Sequence, residues 1–163
     1  MGAPKPPRSL KARALAWLAQ REHSRLELQR KLTRAARQAE AFDADAARLE
    51  IEALLDWLQQ NRYLAAERFV ESRVHARASR FGNLRIRQEL AQHALELGDD
   101  ARRALDDSEP ARARAVRERR FGNAPATPHE RARQARFLAA RGFSAEVIQR
   151  VLREAARGES ADG

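Results

Sequence analysis

Residues 61–90 read NRYLAAERFVESRVHARASRFGNLRIRQEL, and this stretch decides the fold. Phe69, Val70 and Val74 recur at helical spacing and predict the inward face of one helix. That helix ends at Arg80-Phe81-Gly82-Asn83. Asn83 then caps a second helix, with Ile86, Leu90 and Ala94 inward and Arg85 and Arg87 outward. The tetrapeptide Arg-Phe-Gly-Asn returns at residues 120–123, after another arginine-rich helical run. A return at such a distance points to a supersecondary unit repeated along the chain.

Upstream of this stretch, Ser9 opens a helix in which Leu10, Ala14, Trp17 and Leu18 share a face. Ser24 opens the next as a capping box with Glu27, followed by Leu28, Leu32 and Ala35. Asp43 or Asp45 caps a third, whose Ala47, Ile51, Leu54, Leu55 and Leu58 make the cleanest apolar stripe of the chain. Downstream, Gly98 closes the fifth helix. A short acidic sixth, anchored by Leu105, spans about residues 100–107. Ser108 caps a seventh, with Ala111, Ala115 and Val116 inward. Thr127-Pro128-His129-Glu130 joins an N-cap, proline at the first helical position and a capping-box glutamate. The eighth helix carries Ala135, Leu138 and Ala139 and ends at Gly142. Ser144 begins a ninth, with Ile148, Val151, Leu152 and Ala155 inward.

Gly82, Gly98, Gly122, Gly142 and Gly158 all stand where an apolar periodicity ends, as left-handed C-terminal glycines do. No run of alternating β-branched residues is present, so the fold class is all-α. Nine helices fall into three groups of three: repeats at 9–62, 63–108 and 109–158, with tails at 1–8 and 159–163. Small three-helix units stacked in series need their neighbours to complete their cores, which predicts an elongated or curved molecule.

The chain has no cysteine, which excludes disulfides and thiolate zinc sites. No apolar run reaches membrane-spanning length. Met1-Gly2 opens like a myristoylation site, but Pro6 stands where that context needs a small hydroxyl residue. The start also lacks a secretory apolar segment, so a cytoplasmic, non-membrane protein is expected. Net charge is +9, and among the cations only Lys5, Lys11 and Lys31 are lysines. The charge is blocked: residues 1–37, 61–90 and 111–157 are basic, while 38–60 and 91–110 are acidic. Basic helix pairs thus alternate with acidic third helices. Arginine's planar fork suits phosphates and carboxylates, so the first expectation is a polyanionic partner. Arginine on solvated faces from a high-GC genome is the plainer account of the bulk of that charge, though less so of its blocks.

Four separated pieces, in this order along the chain, resemble the RecX family of bacterial regulators of the RecA recombinase. They are Ala19-Gln20-Arg21-Glu22-His23-Ser24 through Leu28 and Leu32; Leu58 through Tyr63-Leu64 to Glu67-Arg68-Phe69; Gly82 to Leu90; and Arg141-Gly142-Phe143-Ser144 with Ile148. Two departures lie at helix starts and bear on capping: the family often has an acid at the place of Ala66 and a proline near Asn83. The resemblance implies three tandem three-helix repeats and no catalytic activity. It also implies binding within the groove of the RecA–DNA filament, where such proteins restrain ATP hydrolysis, strand exchange and coprotease activity or block extension. A monomer acting on RecA, with single- or double-stranded DNA as a further contact, is the expected arrangement.

The residues themselves offer little for catalysis. His23, His75, His93 and His129 lack ligand spacing, and there is no phosphate-cradling glycine loop or nucleophile elbow, so neither metal nor cofactor is expected. Ser24 beside His23 is explained by its cap. Trp17 and Trp57 read as core packing rather than base stacking, and Tyr63 and Phe69 as packing at the junction of the first two units. The partner-binding candidates are Arg21, Arg25, Arg30 and Lys31; Arg77, Arg80, Arg85 and Arg87; and Arg119, Arg120, Arg133, Arg136 and Arg141. The alternative is a general nucleic-acid binder of helix-turn-helix type over residues 66–94. It needs base-reading Asn83 or Gln88 at the start of the recognition helix. An undetected enzyme is a third reading.

Overall fold

The computed structural model of the protein describes residues 9–39 and 42–161, which form eight α-helices and no strand. The tail expected at 1–8, and residues 162–163 of the tail expected at 159–163, lie outside the described residues. The helices are α1 (Leu10–Leu18), α2 (Arg25–Ala36), α3 (Ala44–Gln60), α4 (Ala66–Ala78), α5 (Asn83–Ala91), α6 (Asp99–Phe121), α7 (Pro128–Ala140) and α8 (Ala145–Ala161). The chain divides between Phe69 and Val70, inside α4, into two compact units.

In the first unit α2 packs against both α1 and α3. Ser9 caps α1 by accepting from the Ala12 amide, Ser24 caps α2 through Glu27 N, and Asp43 caps α3 through Asp45 N and Ala46 N. Ala14, Leu28, Leu32, Ile51, Leu55, Leu58 and Leu64 are buried together, with Trp17 and Trp57 partly buried against them. Tyr63 stacks on Trp57 with ring centroids 5.6 Å apart and stays 48% exposed. The chain leaves α3 through Arg62 at φ 60°, a left-handed residue at a place where glycine is usual. Arg68 gathers the carbonyls that this turn releases, donating to Arg62 O and Tyr63 O while pairing with Glu22.

In the second unit α6, α7 and α8 pack on one another and α5 lies on α6. Ala113, Val116, Leu138, Phe143, Ile148, Val151 and Leu152 form its core. Thr127 and Glu130 make the full capping box of α7.

Four expectations are corrected here. The sixth and seventh helices are one: α6 runs through Pro110 without a break. Leu105, Glu109, Ala113 and Val116 lie on one buried face, and that packing holds the helix across the missing proline amide. Ser108, expected as a cap, instead donates its hydroxyl back to Leu105 O. The face is displaced from the expected one, since Ala111 and Ala115 are exposed, as is Ala139 on α7. Next, α5 ends at Ala91 rather than at Gly98, which is the N-cap of α6. Ala94 is exposed outside the helix at φ 55°. Third, of the five glycines only Gly122 and Gly142 are left-handed, and Gly158 lies inside α8. Last, Asn83 is not a cap. Gly82 holds that position, and Asn83 is the first helical residue, 3% exposed.

Candidate partner-binding interface

The first unit keeps most of its candidate cations occupied. Arg21 pairs with Glu27, and that hydrogen bond raises its pKa. Arg25 reaches Glu52 at 2.7 Å and Asp56 at 2.8 Å; burial opposes its charge, but these carboxylates outweigh it and raise its pKa. Lys31 lies 3.1 Å from His23 Nε2 and over the Trp17 ring at 4.3 Å. Its pKa is lowered, by burial first and by the Arg21 charge second. Arg30 is exposed and makes no carboxylate pair among the described residues.

The second unit sorts its arginines differently. Arg77 holds Glu89 at 3.0 Å alongside Arg73, and Arg87 holds Asp106 at 2.6 Å. By contrast, Arg80, Arg85, Arg120, Arg133, Arg136 and Arg141 have no carboxylate partner among the described residues, and all but Arg136 lie over phenylalanine rings. Arg80, Arg85 and Arg141 stand 5.9, 5.1 and 5.5 Å from the centroid of Phe81. Arg120 and Arg133 stand 5.6 and 5.7 Å from Phe121, and Arg141 also reaches Phe137 at 5.1 Å. Phe121 and Phe137 meet edge to face at 5.3 Å. Arg119 donates to Ser79 O, and Arg136 is exposed on α7. Both copies of Arg-Phe-Gly-Asn therefore deliver an arginine and a phenylalanine to one surface. The phenylalanines are absent from the sequence-level candidates, although the repeated Arg-Phe-Gly-Asn tetrapeptide marks two of the three.

A buried polar node fixes the turn that carries Arg80 and Phe81. Arg112 donates to Ala78 O at 3.2 Å, Phe81 O at 2.8 Å and Leu105 O at 3.0 Å, and also to the Asn83 side chain. Burial lowers its pKa, an effect that the charges of Glu109 and Asp106 oppose. The Glu109 carboxylate accepts from Asn83 N at 2.8 Å and from the Ser144 hydroxyl. Asn83 Nδ2 donates to Asp106. Two further amides at the start of α5 are also taken: Gly82 N bonds Arg141 O at 2.9 Å and Leu84 N bonds Gly142 O at 3.0 Å. Only glycine permits this approach, because a Cβ on Gly82 would overlap the Gly142 carbonyl and one on Gly142 would overlap Arg85. Asn83 is 3% exposed and its side chain is engaged by Asp106 and Arg112, which is unfavourable for a base-reading role.

No group of three or more histidine or acidic side chains suited to a metal occurs among the described residues, and no helix there is long and apolar enough to cross a membrane. The family description "RecX, third three-helix domain" matches residues 107–152. A regulatory protein RecX of Ralstonia nicotianae is 54% identical over 159 residues, covering 95% of this chain and 93% of the relative. The chain belongs to the RecX family. Another RecX, of Herbaspirillum seropedicae, is 48% identical over 155 residues, covering 93% and 94% of the two chains. The crystal structure of RecX from Lactobacillus salivarius matches with a TM-score of 0.66 at 18% identity, covering 90% of this chain and 94% of that one. It shows the fold, an all-α arrangement of tandem three-helix repeats. These RecX relatives are named regulatory proteins, and the present chain is a member of a regulatory family.

Proposed function

We propose that this chain is a non-enzymatic regulator of the RecA recombinase, gripping the RecA–DNA filament through the arginine-phenylalanine surface of its second unit and restraining recombinase activity. Family membership supports the regulatory role. The observation that carries the choice of surface is the sorting of arginines. The chain neutralises Arg25 in the first unit and Arg73, Arg77 and Arg87 in the second with its own carboxylates, Arg77 doing so while also lying 5.8 Å from the Phe81 centroid. Arg80, Arg85, Arg120 and Arg141 are left to a partner. Guanidinium groups held over rings are positioned without being neutralised, ready for phosphates or acidic side chains.

The test is RecA ATP hydrolysis on single-stranded DNA, titrated with this protein. Arg85→Ala with Arg120→Ala should weaken inhibition by at least about tenfold, the loss of one or more charge-assisted contacts. Arg25→Ala should weaken it less, since Arg25 is already committed to Glu52 and Asp56. A doubly substituted protein that inhibits as well as wild type would remove this surface from the mechanism.

A further inference from the structure

Arg80, Arg119, Arg120 and Arg141 line one concavity of about 320 Å³, floored by Val116 and Phe137. Three helix ends deliver these arginines. Arg119 and Arg120 are in the last turn of α6, Arg141 is the C-cap of α7, and Arg80 follows the end of α4, its amide bonded to Arg77 O. A helix C-terminus carries about half a negative charge, so three of them offset roughly 1.5 of four positive charges. No carboxylate lines the concavity. A net excess of roughly two to three positive charges is thus held together by helix ends, by rings and by the Arg119 bond to Ser79 O. Arg141 lies over both Phe81 and Phe137, and Arg120 lies 6.0 Å from Phe137.

That excess selects among anions. A phosphodiester or a single carboxylate brings one negative charge and leaves most of it unmet. A compact polyphosphate brings three or four charges to the forks of Arg80, Arg120 and Arg141, each able to bind two oxygens, beside Arg119, which also donates to Ser79 O. We infer that this concavity is a binding site for the polyphosphate group of a small ligand, either inorganic or carried by a nucleoside. The site itself stands on its own geometry. Its consequence, that occupancy withholds these arginines from the filament and relieves inhibition, rests on the function proposed above.

Tripolyphosphate titrated calorimetrically into the full chain at 0.15 M salt should show one saturable site and raise the thermal midpoint. Arg80→Ala and Arg141→Ala should each weaken binding by about tenfold. Arg103→Ala removes the same charge from an exposed arginine paired with Asp100, and should leave binding within about twofold. A nucleoside triphosphate resolves the source. Equal affinity means that the phosphates alone are recognised, and tighter binding lost in Phe137→Leu means that a base rests on that ring; either upholds the site. Heats that never saturate and follow ionic strength overturn it, as does Arg103→Ala weakening binding as much as Arg80→Ala. Loss of filament inhibition in Arg80→Ala, in a protein whose wild type does not bind tripolyphosphate, overturns this inference and leaves the filament reading standing. Tripolyphosphate binding by a protein that does not restrain RecA overturns only the latter.

Discussion

His23 Nε2 faces the Lys31 ammonium at 3.1 Å and its Nδ1 faces Arg21 O at 3.0 Å. Both contacts suit a neutral ring that donates from Nδ1 and accepts at Nε2. Burial pushes the His23 pKa below its ordinary 6.5, and the nearby Arg21 and Lys31 charges act the same way against the opposing pulls of Arg21 O and Glu27. With the folded pKa depressed, the stability that the neutral ring contributes is fully present above pH 6.5. It declines as the pH falls through that value, because only the unfolded chain takes up the proton. The thermal midpoint should therefore fall from pH 7.5 to 5.5. His23→Gln keeps an acceptor for Lys31 but has no titration, and its midpoint should change less over the same window. Parallel curves for the two proteins would remove His23 as the cause. The sequence does not disclose this role for His23, because nothing local shows that a side chain eight residues on closes over it. Asn83 is the same lesson in reverse. It is a strong cap former by type, yet Glu109, Asp106 and Arg112, all more than twenty positions away, claim its polar atoms.

At the scale of elements, the helix starts that depend on neighbours in sequence were legible, and those that depend on neighbours in space were not. Ser9, Ser24 and Thr127 each cap through an amide three residues on, which any reader of the chain can find. Thr127 has the fullest set, since Glu130 also accepts from Ala126 N at 2.8 Å and Thr127 N at 3.2 Å. Thr127→Ala should lower stability by about 1 kcal/mol in denaturant unfolding while leaving RecA inhibition intact, because the cap orients α7 without contributing a cation. Inhibition lost from a variant that stays folded would mean that Thr127 itself touches the partner. Helix α6 was misread at its middle for a physical reason. Ser108 and Pro110 are local start signs, whereas the stripe that keeps the helix whole includes a buried Glu109 that hydrophobic periodicity does not count. The end of α5 is misplaced because Ala94 takes a left-handed position just beyond it without glycine, whereas the break after α3 near Arg62 agrees with the repeat boundary expected there. Of the candidate surface, the arginines were legible from type and blocking. Their division into paired and unpaired was not, since Glu52, Glu89 and Asp106 reach them from other helices.

For the whole molecule, net charge of +9 sets two salt effects of opposite sign. Ion pairs such as Arg87–Asp106 and Arg68–Glu22 are in contact at 2.6 and 2.8 Å. Screening reaches that range weakly, since the Debye length is about 10 Å at 0.1 M and still about 4 Å at 0.5 M. Repulsion among the unpaired arginines acts over longer distances and is the part that salt removes. Stability should therefore rise as sodium chloride goes from 0.05 to 0.5 M. Binding to the filament should weaken over the same range, because cations released from a polyanion on binding oppose it more at high salt. Removing Arg85 and Arg120 together should flatten both dependences: fewer repelling charges in the folded protein, and fewer contacts to lose. Thermal midpoints and RecA inhibition measured on the same salt series separate the two terms. A wild-type midpoint that falls with salt would mean that the chain's own ion pairs, rather than its unpaired arginines, dominate its electrostatics, and the unpaired surface would then lose its standing as stored charge awaiting a partner.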